Sequence, residues 1–348
     1  MIRKVALAGL VAIASLVAPA ATRPAAADEP AAYQIKLGTL APKQSSWGKV
    51  FESWKRTVKK DTEGKCEIDW SYGKDEGSMI TDMKSGNLHG GALTATGLSK
   101  IYGGVVALQM PGLVSTWAQL DTVRNGTKGT FDKAFHDAGY KILGWGDVGI
   151  GHVMFRKSGD KPDIRTPEQL KQYHPFSIEG DDMGAFFLTA VGHSSTKKLS
   201  VPNILLNIQG RSADSVDVIT TPAIAAEQLQ WSAHVTHVVD MPVGFGIGGL
   251  VMAEAAFKAI PEACRAKFAE SGKAAGEVLT ATIRGVDDAA WTSLKGTKTV
   301  ITLTAAEKEA WQEKFKIVRN RMNSESKIDK ALWTEVTNAA AAAGGGHL

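Results

Sequence analysis

Hydrophobic positions along this chain switch between a two-residue period and a helical one, and the switches mark alternating strands and helices. Tyr33–Leu40 alternates as a strand, and Trp47–Asp61 follows as a helix with Val50, Phe51, Trp54 and Val58 on one stripe and lysines opposite. Cys66–Tyr72 reads as a second strand, Ser78–Lys84 as a short helix closed by Gly86, and Gly91–Thr96 as a strand that turns helical at Gly97–Tyr102. One helix is expected over Trp117–His136, ended by Gly139, then two strands, Tyr140–Trp145 and His152–Arg156. Thr166 and Pro167 open a helix to Gln172, because Thr caps and Pro is preset for the first turn.

The same rhythm continues through strand Pro175–Ile178, helix Asp182–Val191, a strand around Leu199–Leu206, short strands at Asp217–Ile219 and His234–Val239, and a helix from Ala223. Gly244–Met252 is a Gly-rich apolar strand. A long helix is expected over Pro261–Leu294, with Cys264, Phe268, Leu279 and Ile283 on its apolar stripe. Ala305–Asn323 forms a last helix on Trp311, Phe315, Val318 and Met322, and the Ala/Gly-rich tail from Ala339 is expected to fray. The succession implies an α/β fold with parallel sheets and helices on both faces.

Residues 1–27 read as an address. Arg3 and Lys4 precede an apolar run from Val5 to Pro19, and Ala25-Ala26-Ala27 supplies small residues before Asp28, the pattern of a cleaved secretory signal peptide. The formal charge of +4 shrinks with it, since 37 basic residues then stand against 36 acidic ones and no basic cluster offers nucleic acid a footprint. Export also permits a disulfide. Cys66 shares strand parity with Ile68 and Trp70, and Cys264 lies on a helical apolar stripe, so the leading reading is two free buried thiols, with a long-range bridge as the alternative.

Enzyme motifs are present only as decoys. Gly144-Trp145-Gly146-Asp147-Val148-Gly149 spells a dinucleotide fingerprint, but strand sequence follows where the fingerprint needs a helix N-terminus. His234 and His237 lie three apart on an expected strand, hence on opposite faces, which is wrong for one metal. No nucleophile elbow and no His-Glu-x-x-His string occurs. Asp181-Asp182, Glu262 and Asp287-Asp288 read as helix-start caps or solvated faces. No catalytic site, cofactor or metal is expected.

The order of segments resembles the periplasmic solute-binding proteins of TRAP (tripartite ATP-independent periplasmic) transporters, the DctP-like group, from about Tyr33 to Met322. The pieces are Leu37-Gly38-Thr39-Leu40-Ala41-Pro42 with Trp47-Gly48, Tyr72–Gly77, Met83–Gly90, Met110-Pro111-Gly112-Leu113, Arg165–Lys171, Ser215-Val216-Asp217 and Thr220-Thr221-Pro222. The resemblance implies two α/β domains joined by hinge strands, a ligand cleft between them, a long helix packing across both, and closure on the ligand for delivery to membrane subunits. On that pattern, residues 28–150 with 243–285 form one domain and 151–242 with 286–338 the other, leaving 339–348 as tail.

Two departures bear on the ligand. Members that take organic acids carry an Arg on the second-domain strand, a bidentate clamp for a carboxylate. Here the string is Gln172-Tyr173-His174-Pro175-Phe176-Ser177-Ile178, with Phe176 nearest the Arg position, and Gly149-Ile150-Gly151 replaces a second cationic string. A carboxylate in such a cleft would be desolvated and poorly paired. A neutral or apolar ligand is therefore expected, contacted by Trp47, Glu76, Thr94, Trp145, Phe176, Ile178, Met183, Thr221, Met241 and Phe245. Phe186 and Phe187, on a helix, read as core. The alternatives are an organic acid held by a relocated cation (Lys171, Lys74 or Arg211), a receptor reporting ligand to a membrane sensor, and an exported enzyme. Beside the TRAP membrane subunits, a periplasmic helical-repeat (TPR) partner is a further candidate.

Overall fold

A computed structural model describes residues 31–193, 196–211, 215–325 and 328–345, so the expected signal peptide lies outside the described residues. β1 (Tyr33–Thr39) crosses through α1 (Ser46–Asp61) to β2 (Cys66–Ser71), which pairs with β1 in parallel. Ser45 caps α1 by accepting from the Gly48 N–H, and the stripe Trp47, Val50, Phe51, Trp54 and Val58 is buried as its spacing predicts. α2 (Glu76–Lys84) leads to β3 (Gly90–Thr94), which lies parallel to β1 on its other side, and then to α3 (Ala95–Ser99).

The single helix expected over Trp117–His136 is two, α4 (Trp117–Gly126) and α5 (Lys128–Asp137). Gly126 weakens the helix there, and the Thr127 hydroxyl donates back to the Val123 carbonyl at 2.8 Å. The two strands expected next are instead one, β4 (Tyr140–Phe155). Its glycines serve close packing: a Cβ on Gly146 would stand 2.5 Å from Leu279. The dinucleotide-like string therefore runs through strand, as its sequel implied.

β5 (Phe176–Ile178) pairs in parallel with β6 (Lys197–Leu199), with α6 (Asp182–Ala190) between them. The strand expected to reach Leu206 stops at Leu199, because Pro202 opens a 3₁₀ turn that continues into α7 (Ile204–Ile208). β7 (Val218–Pro222), α8 (Ala223–Gln228), β8 (His237–Val239) and β9 (Gly244–Ala253) follow. The chain closes with α9 (Glu254–Ala259), α10 (Glu262–Thr297), β10 (Thr299–Ile301), α11 (Ala305–Ser324) and α12 (Lys330–Ala342).

The main sheet runs β10-β8-β4-β9-β3-β1-β2, with β7 also on β4. It is mixed rather than parallel throughout: β4 is antiparallel to β7, β8 and β9, because β4 and β9 traverse the sheet in opposite senses from Tyr140↔Ala253 to Gly151↔Gly244. α10, 36 residues and so about 54 Å long, packs along β4, α1 and α8. Trp54 of α1 stacks on Phe268 of α10 and donates to Ser271 Oγ at 3.0 Å.

That packing sets the cysteines. Cys66 of β2 and Cys264 of α10 are both fully buried and joined in a disulfide, which corrects the reading of free thiols. Both were placed inward, but only the docking of α10 beside α1 brings them together. The tail is corrected too. α12 packs on α4, Ala340 is fully buried, and Gln119 Nε2 donates to the Gly344 carbonyl at 2.9 Å. Alanine-rich sequence holds a helix readily and lets it approach closely. Residues 346–348 lie outside the described residues.

Candidate functional site

Strand ends and helix starts converge on a cavity of about 370 Å³. On one side are Thr39–Pro42 after β1, Trp47 of α1, Glu76 of α2 and Thr94–Thr96 at the β3–α3 junction. Opposite stand Phe176–Ile178 of β5, Met183 and Phe187 of α6, and Thr220–Pro222 at the β7–α8 junction. The middles of β4 and β9 form the floor, with Phe245 among them.

Of the residues expected at a ligand, Trp47, Glu76, Thr94, Phe176, Ile178, Met183, Thr221 and Phe245 line this cavity. Trp145 and Met241 do not. Trp145 meets Phe131 of α5 edge to face at 5.7 Å, while Met241 is packed into the core with Trp311 and Phe315. Strand alternation decides which residues face the cavity, and the merged β4 could not be counted through from either short strand expected. Phe187, read as core, both stacks on Trp311 at 5.9 Å and borders the cavity; Phe186 instead lies beneath the Arg321 guanidinium.

Sequence reasoning missed Asp147, Ser177 and Asp181 as lining residues. Asp147 had a signal, an acid inside an apolar Gly-rich strand. It is buried and answered by Arg124 Nη1 at 2.8 Å and Arg284 Nε at 2.7 Å, and both arginines also bond Asp121. The Trp47 indole N–H donates to the Asp147 backbone carbonyl at 3.3 Å. Asp181 is the cap of α6, accepting from Gly184 N–H at 3.0 Å, as its reading at a helix start foresaw.

Glu76 accepts from the Thr94 N–H at 2.5 Å and the Thr94 hydroxyl at 2.8 Å. Burial pushes its carboxyl above the usual range despite those hydrogen bonds, and burial likewise raises Asp181 against the Gly184 N–H. Among the described residues, no Lys, Arg or His lines the cavity. Lys74 pairs with Asp82 at 2.6 Å, Lys171 lies against Gly192, and Arg211 is exposed away from it. Chemically, the site can enclose an apolar body and offer it hydroxyls and carboxyls.

A family model described as bacterial extracellular solute-binding protein, family 7 (DctP), matches residues 37–325. Solved TRAP periplasmic solute-binding proteins share the fold. One from Ralstonia eutropha with bound (S)-2-acetolactate is 18% identical, with a TM-score of 0.78 over 89% of this chain and 99% of that one. One from Sulfurospirillum deleyianum with bound succinate is 17% identical, with a TM-score of 0.77 over 89% and 99%. One from Desulfovibrio salexigens with bound orotic acid is 17% identical, with a TM-score of 0.75 over 89% and 99%. No curated protein sequence matches the chain.

Proposed function

The chain belongs to the bacterial extracellular solute-binding proteins of family 7, and from that premise we propose that it is the exported, periplasmic capture component of a TRAP-type transporter whose ligand is neutral or apolar. Proteins of this family bind solutes and do no catalysis. The work is done by differential affinity: a ligand bound better by the closed state shifts the population toward it, and the closed form is what the membrane subunits receive. We assign residues 28–150 with 243–285 to one domain and 151–242 with 286–338 to the other, with hinges near Gly149–Val153 and Asp240–Gly246. Residues 1–27 serve as the cleaved leader.

The observation that carries the ligand reading is the lining itself. The relatives of similar fold hold succinate, orotic acid and acetolactate. In this chain Phe176 borders the cavity and no base does, among the described residues. Burying a carboxylate there without a partner costs several kcal/mol, enough to erase millimolar binding. A thermal-shift titration with succinate, malate and sialic acid tests it. None should stabilise the protein at millimolar concentration, whereas a ligand at 100 times its Kd adds about 2.7 kcal/mol. A clear shift with any of the three refutes the reading. Native mass spectrometry of protein purified without refolding should find a retained ligand free of carboxylate groups.

A further inference from the structure

The acids at the cavity are not balanced. Of its charged residues Glu76, Asp147 and Asp181, only Asp147 has ion-pair partners among the described residues, Arg124 and Arg284. A second cavity of about 200 Å³ adjoins the first and shares Leu40, Glu76, Thr96, Ile178 and Val201 with it. Its other charged residues are Asp75, Glu179 and Lys100, so acids outnumber the single base there too. Glu76 thus stands where an apolar chamber opens into a polar, acidic one. Ser177, between Phe176 and Ile178 on β5, is 3% exposed, and its hydroxyl has no partner among the described residues.

Closure over a purely apolar ligand would strip water from these groups and leave the Glu76 and Asp181 carboxyls with hydrogen bonds from Thr94 and Gly184 but no opposite charge, and the Ser177 hydroxyl with no partner among the described residues, which is costly. An anionic ligand would add repulsion. A ligand with a positively charged donor reverses both terms: it supplies N–H groups to the carboxyl oxygens, and its charge favours their ionised form, which burial disfavours. We propose that the cavity takes a hydrophobic amine, its apolar body against Phe176, Met183 and Phe245 and its protonated head at Glu76, at the passage between the two chambers. This rests on the reading of the cavity as a ligand site without an anion clamp, and departs from the neutral ligand proposed above by giving the apolar body a cationic head.

The test uses three probes of one shape, 3-phenylpropylamine, 3-phenylpropanol and 3-phenylpropanoate, titrated calorimetrically into the full-length mature protein. The amine should bind at least about tenfold more tightly than the alcohol, a difference of about 1.4 kcal/mol, and the acid more weakly than either. In Glu76→Gln the advantage of the amine over the alcohol should vanish. The comparison within the unaltered protein stands even if that variant folds poorly. Equal binding of alcohol and amine overturns this inference and leaves the uncharged-ligand reading intact. Tightest binding by the acid overturns both. No binding by any probe at millimolar concentration overturns the inference alone, because the retained-ligand measurement tests the broader reading separately.

Discussion

Asp287 offers a sharp test of how α10 holds the sheet. Its side chain is 2% exposed, and its two oxygens accept from Ile150 N–H of β4 at 2.7 Å and Ile224 N–H of α8 at 3.0 Å. Burial raises the carboxyl to about 6 from an ordinary 3.8, against those hydrogen bonds. Between pH 4 and 6 the folded protein therefore keeps a proton that the unfolded chain releases, so stability falls as pH rises through that window, by about 3 kcal/mol at 1.36 kcal/mol per unit. One helical turn on, Trp291 stacks on His152 of β4 with ring centroids 3.7 Å apart. Burial holds that imidazole near 4 instead of 6.5. The unfolded chain then binds the extra proton, and stability is lost as pH falls from about 6.5 to 4, again by about 3 kcal/mol. The two slopes oppose and nearly cancel. In Asp287→Asn the cancellation is gone, so chemical denaturation at several pH values should show the variant losing about 3 kcal/mol more than the unaltered protein between pH 6.5 and 4. The difference in slope is the readout, because other titrating groups contribute equally to both proteins. Parallel stability–pH curves would refute the assignment of a raised pKa to Asp287.

Three further outcomes are expected. The Cys66–Cys264 bridge closes a loop of 198 residues, so Cys66→Ser with Cys264→Ser should cost about 5 kcal/mol in the chain-entropy account; equal denaturation midpoints with and without the bridge would contradict it. Phe176→Arg should leave folding intact, since Phe176 is half-buried and borders the cavity, where a guanidinium can hydrate; retention of an apolar ligand should collapse. A loss of several kcal/mol of stability would instead mark Phe176 as core. Intact mass of periplasmic protein should place the mature N-terminus at or near Asp28, and a chain still carrying residues 5–19 would sink the export reading.

Much of this architecture was legible in local pattern. The stripe of α1, the long α10 and the apolar, Gly-rich β9 are written in periodicity, because each buries one continuous face and its residues must repeat with the element. That Phe176 borders the cavity was legible too, though from the order of motifs rather than from periodicity. What only tertiary structure decided concerns residues whose partners are remote. Cys66 and Cys264 each read as inward-facing, but their distance depends on Trp54 and Phe268 seating α10 against α1. Asp287 resembled a cap or a solvated acid; it is mid-helix and buried, because β4 and the start of α8 bring two backbone N–H groups to it from 137 and 63 positions away. Trp145 and Met241 went to the core instead of the cavity for a related reason. The glycines of β4 let one strand run where two were expected, and the face that each residue takes follows from pairing with β9 and contact with α10, which local sequence does not encode.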